Sequence, residues 1–259
     1  MKIALIGAGN MGGAIIKGLY QSRECKAEDF FVADASEASL KNISKINKNI
    51  FTTTNNNEAV KNADYVLLAV KPWLVETILD GLKPSLDPKK HIIISIAAGV
   101  NLQTIADKVG KEFALFRLLP NTAMSLRESM TFVSSLNASK EQEAFIVETF
   151  NKLGMAISIP ESQMGAFTSV SSCGIAYALR YLRAATEGAV ELGIRPDVAQ
   201  EVIAQTMIGA AQLILQNKSN AEVEIDKVTT PGGWTIKGLN VMEEYGFSNS
   251  VIKGIKANK

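Results

Sequence analysis

The chain carries two glycine-rich openings able to present backbone N–H groups to an anion: GAGNMG at residues 7–12, and PGG at 231–233 within TTPGGWTIKGL. Gly7, Gly9 and Gly12 fit G-x-G-x-x-G, directly after the apolar run KIALI and at the head of the helical pattern MGGAIIKGLY. Gly7 permits a tight turn, Gly9 lets the main chain approach a pyrophosphate, and Gly12 lets helix and strand pack closely. The N–H groups of Asn10 and Met11 then meet negative charge at the positive end of the helix. A dinucleotide is the expected ligand. Asp34 stands 22 residues beyond Gly12, at the end of FFVA, where a carboxylate takes the ribose hydroxyls of NAD. The alternative is a helix cap, since Asp34 or Ser36 can cap SEASLKN. Lys41 and Lys45 lie too far into that helix to clamp a 2′-phosphate, so Asp34 mildly favours NADH while neither nicotinamide is excluded.

The second opening suits a smaller anion. If Pro231, Gly232 and Gly233 lead into a helix starting near Trp234, the N–H groups of Gly233, Trp234 and Thr235 point outward at its positive end, fit for a carboxylate. Plain punctuation between two helices, with Thr229 or Thr230 as N-cap, is the local alternative. Arg180, Arg183 and Arg195 are other possible anion anchors, but their spacing reads more simply as solvated or interface positions. The one histidine, His91, begins HIIISI, the end of a parallel strand remote from ligands, and reads as structural. Cys25 and Cys173 show neither metal-ligand spacing nor a disulfide framework, and no metal site is expected. Cys173 reads as a small buried packing residue, because no histidine is placed to activate it.

The elements that must position these residues alternate. KIALI, FFVA, IFTT, YVLLAV and HIIISIA are each followed by a helical pattern, the last being LQTIADKV. Continuous apolar strands separated by helices imply a parallel sheet covered on both faces, a doubly wound α/β domain of Rossmann type. EFALFRLL, MTFVSS and MAISI extend the sheet to about residue 160, with the helix KEQEAFIVETFNKLG between the last two. After Pro160 every segment favours helix. The division is therefore 1–160, a dinucleotide-binding domain, and 161–259, an all-helical domain. Small residues in the latter, among them Gly174, Ala178, Ala184, Ala185, Gly188 and Ala189, allow close helix approach, and its apolar surface calls for burial between subunits.

With 27 basic and 26 acidic residues among 259, the formal charge is +1 and no basic run stands out. A nucleic-acid surface is not indicated, and a small-molecule partner is expected. The 47% hydrophobic content suits a sizeable core. The N-terminal apolar run is too short for a signal peptide, and no later stretch approaches the ~20 uninterrupted apolar residues of a membrane span. The expected location is the cytoplasm.

IGAGNMGGAI, AVKPW (69–73), SIAAGV (95–100), RLLPNT (117–122), SSCGIAYAL and VTTPGGWTIKGL occur in an order and spacing that resemble pyrroline-5-carboxylate reductase along essentially the whole chain. The resemblance implies a Rossmann domain followed by a helical dimerisation domain. It implies NAD(P)H-dependent reduction of 1-pyrroline-5-carboxylate to L-proline, the last step of proline biosynthesis, by a homodimer or larger assembly. It further implies that Ile6, Gly7, Ala8, Gly9, Asn10 and Met11 line the pyrophosphate, that Asn56 lies along the adenosine side, and that Ala69, Val70, Lys71 and Ala97 border the nicotinamide half. Independently, Lys71 and Ala97 follow strand ends where ligands of doubly wound sheets gather, and Pro72 fits a first helical position. For Lys71 a plain surface lysine remains the alternative. Thr235 reaches the ring nitrogen as the catalytic hydroxyl in this reading, and Thr230, Gly232, Gly233, Trp234 and Thr235 hold the substrate. The family's usual proline is Ile175 here, a small residue is Cys173, its usual asparagine before the turn is Lys227, and Trp234 replaces a small residue or threonine. Two other functions stay open: reduction of another cyclic imine or small acid, and a non-catalytic dinucleotide-sensing dimer.

Overall fold

Apolar runs of four or five residues without polar alternation can be buried only if both faces of their sheet are covered. The computed structural model, which describes residues 1–258, places them in one eight-stranded sheet within the first of two compact units, Met1–Ser172 and Cys173–Lys259. The strands are β1 (Ile3–Ile6), β2 (Phe30–Ala33), β3 (Phe51–Thr53), β4 (Tyr65–Leu68), β5 (Ile92–Ser95), β6 (Leu115–Leu119), β7 (Ser129–Leu136) and β8 (Gly154–Ser158), in sheet order 3-2-1-4-5-6-7-8. From β3 to β6 the neighbours are parallel; β7 is antiparallel to β6, and β8 runs parallel to β7. The reversal follows from chain length. Only Pro120 to Glu128 join β6 to β7, too few residues for a parallel crossover.

The crossover helices are α1 (Asn10–Gln21), α2 (Glu37–Ile46), α3 (Asn56–Val60), α4 (Val75–Leu82), α5 (Leu102–Val109) and α6 (Lys140–Asn151). α1 buries Gly12, Ile15, Ile16 and Leu19, one face of a 3.6-residue repeat. Two apolar clusters form, one on each side of the sheet. One joins Ile3 and Leu5 of β1 to Ile15 and Leu19; the other joins Ala4 and Ile6 to Val75, Leu79 and Ile105. This alternation along β1 is the strand's two-residue period read out as burial.

The first unit runs to Ser172, beyond the boundary at 160 expected from loss of strand signal. Helix α7 (Met164–Phe167) and a π-helical turn, Thr168–Ser172, follow β8, and Met164 is buried with Phe132 and Ile159, Phe167 packing against them. A segment can be helical and still belong to the sheet's core.

The second unit is all helical: α8 (Gly174–Glu191), α9 (Pro196–Asn217), α10 (Ala221–Val228), α11 (Trp234–Glu244) and α12 (Phe247–Lys256). α8 stops at Gly193, where φ is +90° and the N–H of Ile194 reaches back to Ala189 O. Among the described residues of this unit only Thr186 and Ala199 are buried. Leu179, Val202, Ile208 and Leu215 are all more than half exposed. α9 is long and apolar enough to cross a membrane by length and composition alone. Gln200–Glu201, Gln205–Thr206 and Gln212 break its apolar residues, so no run is continuous.

Candidate functional site

The first opening has the shape its glycines require. Gly7 has φ +102°, and a Cβ there would lie 2.6 Å from Ala69 O. A Cβ on Gly12 would lie 2.1 Å from Gly7 O, so α1 starts in contact with the turn before it. Around Gly9 there is nothing within 4 Å, leaving space above the turn for a ligand's phosphates. Gly9 is the N-cap of α1 and no side chain caps that end, so the N–H groups of its first turn, from Asn10 and Met11 on, have no intrahelical partner. The residues fit a dinucleotide.

Asp34 is held on this turn. One carboxylate oxygen accepts from Ala8 N–H at 2.6 Å and the other from Ser36 N–H at 2.7 Å. The cap of α2 is Ser36, whose Oγ accepts from Ser39 N–H, which decides between the two capping candidates. Because β2, β1, β4 and β5 are adjacent, the carboxyl ends of those strands bring Ile6–Gly12, Asp34, Ala69–Pro72 and Ala97 along one edge of the sheet. Val70 Cγ1 approaches within 2.8 Å of where a Gly7 Cβ would sit. Lys71 is exposed, and Pro72 opens the short 3-10 turn Pro72–Leu74. Asn56 is the first residue of α3, after β3, with Asn55 capping through Asn57 N–H. Ala97 is buried, and its N–H donates to Ser95 Oγ at 3.2 Å.

His91 lies at the opposite, amino end of β5. It is buried, its Nδ1 accepts from Asp87 N–H at 2.9 Å, and burial lowers its pKa, keeping the ring neutral. Burial pushes the Cys25 thiol up to about 11. Cys173, at the N-cap of α8, is only half-buried, against the expectation of a buried packing residue. Arg183 pairs with Glu187 at 2.8 Å, and Arg195 pairs with Asp197, both at exposed positions. No group of three or more metal-ligating side chains occurs among the described residues.

The second opening differs from expectation in one atom that matters. Pro231 and Gly232 occupy the centre of a tight turn, Gly232 at φ +71°, and Gly233 N–H donates to Thr230 O at 2.9 Å. That N–H is therefore consumed by the turn and does not face outward. Gly233 is the N-cap of α11, with no side-chain cap, so the N–H groups of Trp234, Thr235 and Ile236 are the ones left without intrahelical partners. A Cβ on Gly233 would lie 2.6 Å from Thr230 Oγ1, which fixes the hydroxyl beside the helix start. The Trp234 side chain is 91% exposed.

Two features escaped the sequence reading. α10 follows Asn220, whose side chain accepts from Val223 N–H, a capping signal visible in SNAEVEIDKV. Glu161 accepts hydrogen bonds from Leu102 N–H at 2.8 Å and Arg117 Nη1 at 2.9 Å. Its partners lie 59 and 44 residues away, and no local pattern announces them.

A glycine turn after β1, an acidic residue after β2 and loops gathered at the carboxyl edge of a doubly wound sheet define a Rossmann-type, NAD(P)-dependent oxidoreductase. Residues 2–99 match the family described as NADP oxidoreductase, coenzyme F420-dependent, and residues 161–259 match pyrroline-5-carboxylate reductase dimerisation. Pyrroline-5-carboxylate reductase from Methanosarcina acetivorans is 34% identical, over 100% of this chain and 97% of its own length. Pyrroline-5-carboxylate reductase 1 of Dictyostelium discoideum is 36% identical over 98% of this chain, which spans only 48% of that relative. The crystal structure of Plasmodium falciparum pyrroline carboxylate reductase with NADP bound superposes with a TM-score of 0.88 at 25% identity, covering 100% of this chain and 95% of that one. The chain belongs to the pyrroline-5-carboxylate reductase family.

Proposed function

We infer that this chain reduces 1-pyrroline-5-carboxylate to L-proline with NAD(P)H, the reductase step of proline biosynthesis. The observation that carries the reading is the pair of uncapped helix starts, at Gly9 and Gly233, in a chain related to this family along its whole length. A nicotinamide held by the Gly7–Gly12 turn and the Ala69–Pro72 loop would, when bound, supply a hydride to C5 as the C=N bond becomes single, with the ring nitrogen carrying a proton from water.

In this reading the chain's own groups bind and orient. The Gly7–Gly12 turn and the N–H groups of Asn10 and Met11 hold the pyrophosphate, with Ile6 and Ala8 alongside. Asp34 takes the adenosine ribose and Asn56 flanks it, while Ala69, Val70, Lys71, Pro72 and Ala97 border the remainder of the cofactor. The N–H groups of Trp234 and Thr235, at the positive end of α11, take the substrate carboxylate, with the Thr230 hydroxyl beside them. Gly232 and Gly233 shape that turn, and Thr235 Oγ holds the ring nitrogen. No side chain here is a histidine acid, so positioning and electrostatics carry the rate.

The division of labour follows: the sheet-bearing unit binds dinucleotide, and the helical unit binds substrate and associates. The exposed apolar side chains of α8 and α9 support burial against a second copy, in a homodimer or a larger homo-oligomer. A cytoplasmic location accords with this chemistry. A steady-state assay with pyrroline-5-carboxylate and each nicotinamide tests the reading; absence of NADH and NADPH oxidation would refute it.

A further inference from the structure

The loop after β5, Ala97–Asn101, carries the buried Ala97 and leads into α5. Inside the loop, Ala97 N–H is held by Ser95 Oγ, Gly99 takes φ +79°, and Asn101 caps α5 through Thr104 N–H at 2.7 Å. The remaining anchor is external. Leu102, the first residue of α5, donates its N–H at 2.8 Å to Glu161 Oε1, and the same oxygen accepts from Arg117 Nη1 at 2.9 Å. Arg117 stands on β6 directly opposite Ser95, the last residue of β5. The two side chains are only 15% and 28% exposed, so water screens the pair weakly.

We propose that the Arg117–Glu161 pair is a positioning clamp that fixes the Ala97–Asn101 loop, and so the nicotinamide side of the cofactor site, to the end of the sheet. This rests on the reading above that Ala97 borders the nicotinamide. The Glu161 carboxylate satisfies a donor that the helix itself cannot satisfy and places negative charge at the positive end of α5. Arg117 holds that carboxylate in place, and it does so from the strand next to the loop. Asn121, at the far end of the same R-x-x-P-N stretch, donates to Ser171 Oγ at 3.2 Å, so Glu161 and Ser171, either side of α7, are both tied to β6 and its exit. Neither Arg117 nor Glu161 is assigned contact with the reacting atoms. Both act through the loop.

The clamp predicts an asymmetry between the two halves of the cofactor. In Glu161→Ala, ADP-ribose, which lacks nicotinamide, should bind within about twofold of the unaltered protein, while NADH binding weakens roughly tenfold or more, the usual effect of losing a charge-assisted hydrogen bond. The isotope effect with 4-deuterated NADH should rise as hydride transfer becomes limiting. Glu161→Gln keeps an acceptor for Leu102 N–H and should fall between. Arg117→Ala should match Glu161→Ala, and the double variant should be no worse than either, because both remove one device. Equal weakening of ADP-ribose and NADH, or unchanged NADH binding in Glu161→Ala and Arg117→Ala, would overturn the clamp. Should Glu161→Ala fail to fold, Glu161→Gln and Arg117→Lys carry the same comparison. Both binding measurements need no imine, so a chain that reduced no imine would refute the proposed function while the clamp was still decided.

Discussion

One substitution at two positions three residues apart separates the two jobs of the N-terminal turn. In Gly12→Ala the new Cβ meets Gly7 O at 2.1 Å, with Ala69 Cβ and Leu5 Cδ2 both at 3.2 Å. Ordinary contact needs more than a further ångström, so either α1 or the Gly7 turn must move. Neither is a flexible side-chain end. Overpacking of this kind costs about 1–3 kcal/mol, which for a chain of this size lowers Tm by roughly 2–12 °C. In Gly9→Ala the Cβ meets nothing within 4 Å, and φ −68° with ψ −168° is open to alanine. The stability cost is that of a poorer N-cap, about 0.5 kcal/mol, hence about 2 °C or less. The methyl instead occupies the space a pyrophosphate must enter, and NADH affinity should fall by about tenfold or more, equivalent to at least ~1.4 kcal/mol. Melting curves with and without NADH, together with a binding titration, read both quantities on the same protein. Gly9→Ala should melt like the unaltered chain yet gain little from NADH; Gly12→Ala should melt early in either case. Unaltered NADH affinity in Gly9→Ala would refute the placement of the pyrophosphate, and an unshifted Tm in Gly12→Ala would refute the steric account of the turn.

Thr235→Ala should lower kcat for imine reduction more than it raises the KM for NAD(P)H, and unchanged turnover would remove the hydroxyl from the mechanism. Asp34→Ser removes a negative charge from the turn and should shift the ratio of NADH to NADPH dissociation constants towards NADPH by about tenfold, a change read by titrating each nicotinamide. Because burial lowers the pKa of His91 below 6.5, its stabilising contribution is present above that value and is lost as the pH falls through the folded pKa. His91→Asn should therefore flatten the decline of Tm below pH 6.5, without altering NADH affinity. Val202→Asp places a charge on the exposed apolar side of α9 and should reduce the particle mass measured by light scattering; an unchanged mass would mean that this position lies outside the association surface.

Period and punctuation made most of the first unit legible. Five apolar runs, each followed by a helical pattern, specify a parallel sheet because no other arrangement buries both faces of such strands. LQTIADKV coincides with α5 from end to end, and Asn101 and Gly110 cap its two boundaries in the structure. The first glycine turn was readable because G-x-G-x-x-G is a local backbone requirement, which Gly12 meets against Gly7 O; the Ala69 O and Val70 side chain that crowd Gly7 arrive only when β4 pairs with β1. The second turn was readable in outline only. Pro231-Gly232 implied a turn, but which N–H that turn consumes depends on where its hydrogen bond closes, and closure on Thr230 O takes Gly233 out of the anion-binding set. The inclusion of α7 in the sheet's core depends on packing rather than on pattern, since only the folded chain sets Met164 against Phe132 and Ile159. Glu161 shows the same limit most clearly: an acid after a proline carries no signal of its own. Only folding brings it to an arginine 44 residues away and a helix start 59 residues away, where one oxygen serves both. Local backbone chemistry is written in the order of residues, whereas a contact between distant side chains exists only after the strands between them have paired.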